Sequence, residues 1–159
     1  MTLVATGVER AHRPFPVLLT IVLLLVLGIG ALGGGATMLF GIGGESILPD
    51  EYLEALPLVT SWVVPGLILV IGFGLGSLIT AYGVSRRPAW PWVGGVEQLT
   101  GHHWSWIATV VIGVGQMIWI TIELFSIPFS ALMPTFGLVG LALAVLPLTR
   151  QVRRHLIRG

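Results

Sequence analysis

The chain has no cysteine and no lysine among its 159 residues, and only 9% of them are charged. Without thiols there is no disulfide, no thiolate-held metal or iron–sulfur cluster and no sulfur nucleophile. Thiol oxidoreductase chemistry is excluded, and any redox role would need an organic cofactor or a histidine-held metal. Without lysine, all eight cations are arginines, a bias of composition, although guanidinium is also the cation that best grips phosphate headgroups. So little charge cannot coat a soluble domain of this length. With 55% hydrophobic residues, the chain reads as an integral membrane protein, its charges set at the ends of long apolar runs. It also lacks any catalytic or cofactor motif, so the expectation is a protein with no cofactor, no metal and no enzymatic activity.

Four apolar runs predict an all-α integral membrane protein, a single domain over 1–159 built as an antiparallel bundle of four transmembrane helices spanning about 16–40, 58–83, 104–125 and 131–149. The first run follows Arg10 and Arg13 and passes Ala31, Leu32 and Gly33, which imitates a signal peptide with a small-residue cleavage site. It continues through Phe40 to full spanning length, so it reads as an anchor that is kept. Gly30 and Gly34 form a small-xxx-small pair in its outer half, and Gly72 and Gly76 recur in the same way on the second span. These four glycines, with Gly113 on the third span, are expected to be helix-packing positions. Pro65 should bend the outer end of the second span, since it removes a backbone donor and crowds the carbonyl four residues back.

The third span alone carries both an amide and a carboxyl group. Stepping by three and four from Ser105 gives Thr109, Gly113, Gln116, Ile120 and Glu123, one narrow stripe at 3.6 residues per turn. The opposite face reads Ile107, Val111, Val114, Ile118 and Phe125. Such a helix turns its small and polar stripe toward partner helices and its aliphatic face toward lipid. Gln116 and Glu123 are the candidate polar site within the membrane, with the alternative that Glu123, near the helix end, reaches the headgroups as an ionised group.

Between the spans, Glu45, Asp50, Glu51 and Glu54 mark an acidic loop with a short interfacial helix over 48–56. It lacks the spacing of a calcium loop. Trp90, Trp92, Trp104 and Trp106 lie where an aromatic belt belongs, beside His102 and His103, which point about 100° apart on a helix and suit an interfacial pair better than a metal site. The tail from Arg150 to Arg158 spaces its arginines as a short basic helix lying against anionic lipid, and is too short for nucleic-acid binding.

Four spans place Arg10, Arg13, Arg86, Arg87, Arg150, Arg153, Arg154 and Arg158 on one side, and the positive-inside rule makes that side cytoplasmic, with both termini there. In the Gly33-Gly34-Gly35 run, the acidic outer loop and Val64-Pro65-Gly66-Leu67, the chain resembles small four-span bacterial membrane proteins of uncharacterised function. The resemblance lies in the arrangement of spans; it implies the bacterial plasma membrane and carries no activity across. Small multidrug exporters also have four short spans, but their membrane glutamate lies in the first helix, where this chain has no acid. The expected function is a non-enzymatic accessory or scaffold subunit that packs against a membrane protein partner or its own copies within the lipid bilayer. The alternative is a small transporter or ion-conducting oligomer that uses Glu123 and Gln116.

Overall fold

The computed structural model describes residues 13–41, 61–126 and 128–157, all of whose regular elements are helical. Helix α1, Phe15–Phe40, begins with proline in its first turn, where a missing N–H leaves no bond unmade. It ends at Gly41, whose φ of 68° only glycine adopts without strain and whose N–H returns to the Thr37 carbonyl at 2.9 Å. The 26 residues of α1 are about 39 Å long at 1.5 Å per residue, ample for a bilayer core of roughly 30 Å. Helix α2, Val63–Arg86, and helix α4, Trp104–Ser126, are also long and apolar enough to cross a membrane. Between them lie a 3-10 turn, Pro91–Val93, and the short helix α3, Gly94–Thr100. The acidic loop and the short helix expected over 48–56 lie outside the described residues.

The fourth apolar run, expected as a span over 131–149, is helical over Leu132–Leu148 but is shorter than the other three. Helix α5 covers only Leu132–Val145, 14 residues and about 21 Å. It tightens into a 3-10 turn at Leu146–Leu148 around Pro147, then bends by 68° into helix α6, Arg150–Leu156. Proline at 147 has no N–H to continue the ladder. The described residues thus hold three helices of spanning length, or four candidate spans if the bent pair is counted as one.

Close contacts pair residues in opposite order along neighbouring helices. A Cβ on Gly35 would lie 2.8 Å from the Gly66 carbonyl oxygen, and one on Gly28 would lie 3.2 Å from that of Gly74, so α1 and α2 touch backbone to backbone. A Cβ on Gly113 would overlap the Ala144 nitrogen and lie 2.8 Å from the Gly140 oxygen, giving α4 and α5 a similar seam. Gly83 receives the Trp104 ring and Ser105, which joins the end of α2 to the start of α4. Leu24, Leu27, Val84, Leu143, Val152 and Leu156 are fully buried in the core.

Among the described residues, no other helix packs closely on Gly72 or Gly76. Nothing lies within 4 Å of a Cβ built on Gly72, and Gly76 would meet only the Ile71 carbonyl of its own helix. The reason is a π-helical stretch, Ile68–Leu75, within α2. Its i→i+5 bonding puts more residues into each turn than an α-helix does. The buried side therefore advances from Leu69 to Phe73, Gly74 and Ser77, and Gly72 turns outward. On α1 the expected pair divides: a Cβ on Gly30 would lie 2.7 Å from the Phe136 ring, a close-packing position, while the backbone-to-backbone approaches fall at Gly28 and Gly35. Gly34 makes ordinary contact with Leu69.

Candidate binding cavity

On α4 the buried residues are Trp104, Ser105, Thr109, Gly113, Gln116 and Ile120, while Val111, Val114, Ile118 and Phe125 are exposed. The inward stripe ends at Glu123, which is half-buried. Gln116 and Glu123 both line one half-open cavity of about 500 Å³ between α1, α4 and α5, with Leu69 of α2 beside them. Its walls are mostly apolar, with Leu27, Ala31, Leu69, Ile120, Met133 and Phe136 facing it. Gly30 and Gly34 line it too, so their lack of side chains shapes a void as well as a helix contact.

Trp119 completes the polar part, and the sequence reading had passed over it. Its indole Nε1 donates to Glu123 Oε1 at 2.7 Å, and its ring meets Phe73 at 6.1 Å in a tilted arrangement. Residues four apart on a helix are neighbours, so the spacing from Trp119 to Glu123 was the available signal. One carboxylate oxygen is thus anchored while the group keeps further acceptor capacity. Gln116 contributes a buried side-chain carbonyl oxygen with no hydrogen-bond partner among the described residues. An unmet buried acceptor costs about 1–3 kcal/mol. An apolar chamber with a few convergent polar groups, one of them anionic when ionised, has the makeup of a small-molecule site.

A second polar group sits at the opposite end of α4. His103 Nε2 donates to the Pro88 carbonyl at 3.1 Å, since a carbonyl can only accept, which leaves Nδ1 of the neutral ring to accept from Ser105 Oγ at 2.8 Å. Glu97 Oε1 lies 3.8 Å from His103 Nε2 and accepts from the Trp104 backbone N–H at 3.3 Å. Serine, histidine and carboxylate together imitate a hydrolytic triad. Here the Ser105 hydroxyl is wholly buried and lines neither cavity described, so the set pins the start of α4.

The expected aromatic belt is instead a stack. Trp90 lies between Trp92 and Trp104, with centroids 5.3 Å and 4.9 Å away, and only Trp92 is strongly exposed. Trp106 covers the His102 ring at 4.8 Å and donates to the Pro147 carbonyl at 2.9 Å. The two histidines face different partners, and among the described residues no cluster of three or more His, Cys, Asp or Glu could hold a metal.

No family model, curated protein or solved structure matches the chain.

Proposed function

We propose that the chain is a four-span antiparallel bundle that binds a small amphipathic molecule in the cavity between α1, α4 and α5, as a small transporter does. The observation that carries this reading is the meeting of Gln116, Trp119 and Glu123 on the wall of one apolar cavity of about 500 Å³. An apolar body would fill the chamber, and a cationic or hydrogen-bond-donating head would meet Glu123. The bacterial plasma membrane follows from the resemblance in span arrangement. Cytoplasmic termini are supported by the gathering of Arg13, Arg87 and the arginines of α6 at one end of the molecule, away from Phe40 and Ser126.

Ethidium, a lipophilic cation with amine donors, is a suitable probe. Fluorescence titration of the detergent-solubilised protein should show saturable binding that Glu123→Gln weakens by about tenfold or more, the loss expected for a hydrogen bond to a charged group. Ala31→Phe, which places a ring in the cavity, should abolish it. In proteoliposomes, ethidium efflux that is unchanged in a stably folded Glu123→Gln protein removes the transport reading. Binding indifferent to both substitutions removes the cavity itself.

A second reading, the accessory or scaffold subunit, is favoured by Gly72, which bares backbone on the outer face of α2 with no neighbour among the described residues against it. In a membrane such a position admits close approach by another helix, of a partner or of a second copy.

A further inference from the structure

The apolar side of α6 is turned into the protein rather than left free to lie on a membrane surface. Val152 and Leu156, on its apolar side, are fully buried in the protein core. The His103 N–H donates to the Leu156 carbonyl at 2.7 Å, and an isolated antiparallel bridge joins His102 to Ile157. Docking of α6 therefore turns Arg150, Arg153 and Arg154 outward, and with Gly101, His102 and Ile157 they line a concavity of about 450 Å³.

The three guanidiniums sit at i, i+3 and i+4, close enough to repel one another. Among the described residues none accepts a hydrogen bond from them or pairs with them. Of the two described carboxylates, Glu97 is buried beside His103 and Trp104, and Glu123 lies on the far cavity. His102 also lines the concavity, its ring stacked on Trp106 and its Nδ1 donating to the Thr100 carbonyl at 2.6 Å. Trp106 belongs to the first turn of α4, so the concavity adjoins the end of a membrane-length helix, and the exposed side chains of Leu148 and Ile157 continue the apolar surface beside it.

We propose that this concavity is a binding site for the headgroup of an anionic phospholipid, its phosphate held by Arg150, Arg153 and Arg154 and its acyl chains lying along the apolar surface of the adjoining helices. Guanidiniums match phosphate oxygens with paired N–H donors, and an anion placed among three of them relieves their mutual repulsion. Apolar surface next to the site favours a lipid over a free phosphate.

The test uses the full chain in a nonionic detergent, titrated with short-chain phosphatidylglycerol, with phosphatidylcholine of the same chain length, and with inorganic phosphate. Native mass spectrometry reads the bound lipid and thermal melting reads its effect on the fold. Phosphatidylglycerol should be retained as a bound molecule and raise the melting temperature, while phosphatidylcholine and inorganic phosphate do neither. Arg153→Gln and Arg154→Gln should each weaken phosphatidylglycerol binding about fivefold, as expected for one arginine at a lipid surface. Arg86→Gln removes an equal charge outside the concavity and should change it less than twofold. Equal retention of the two lipids, a phosphate effect as large as that of phosphatidylglycerol, or a loss in Arg86→Gln matching that in Arg153→Gln would each overturn the proposal.

Discussion

A methyl group on Gly113 would lie 2.7 Å from the Leu143 carbonyl carbon and overlap the Ala144 nitrogen, both of them backbone atoms of α5 that cannot swing aside. Gly113→Ala should therefore destabilise the fold by about 1–3 kcal/mol, the usual penalty for overpacking. Gly72→Ala meets open space and should leave stability unchanged or raise it by about 0.4–1 kcal/mol, because alanine has less freedom to lose in forming a helix. Thermal unfolding in detergent compares the two directly, and equal losses would mean that neither glycine lies where its neighbours place it. Both residues look alike in sequence, since each is a glycine at helical spacing from other small residues. What separates them is the partner: Gly113 lies on an unbroken α-helix, where spacing reports the face, and Gly72 follows the start of a π turn that rotates the face away.

Helix α6 is held as an element by its two buried aliphatics, by the Arg87 Nη1 bond to the His155 carbonyl at 2.9 Å and by the bridge to His102. Burial lowers the affinity of His155 for a proton from its ordinary 6.5. The Arg87 charge pushes the same way, as does Arg13 more weakly, against a raising effect of the Val84 carbonyl. The docked helix thus favours the neutral ring, whereas an undocked ring takes a proton near its ordinary value. Docking is at full strength above about pH 6.5 and weakens as pH falls from there toward the lower docked value. Hydrogen-exchange protection of the 150–156 amides should decrease over that interval in the parent and stay level in His155→Gln. An equal decrease in the variant would assign the effect to another group.

For the whole molecule, the end where Arg13 meets the Ser85 carbonyl and Arg87 meets α6 carries the described arginines, and the opposite end carries Phe40, Ser126 and Ser130. The absence of native cysteine makes single-cysteine labelling clean. With the arginine end in the cytoplasm, Glu45→Cys, in the acidic loop, should react with an impermeant maleimide in intact cells. Gly95→Cys, at an exposed position on α3 with nothing within 4 Å of its Cβ, should react only after the cells are opened. The reverse pattern would invert the protein in the membrane.

Periodicity alone determined that α4 has an inward stripe through Ser105, Thr109, Gly113, Gln116 and Ile120, because an uninterrupted α-helix repeats every 3.6 residues whatever surrounds it. Hydropathy alone determined the three long helices, since only length and apolar content enter that judgement. The end of α5 at Pro147 follows from proline's missing N–H. Tertiary structure decided the rest. The π turn of α2 and the docking of Val152 and Leu156 depend on which surfaces meet, and local composition does not encode that. The cavity is of the same kind. Gln116 and Glu123 could be placed on one face from their spacing, but the cavity beside them depends on how α1 and α5 come together, with Gly34, Ala31, Met133 and Phe136 among its lining.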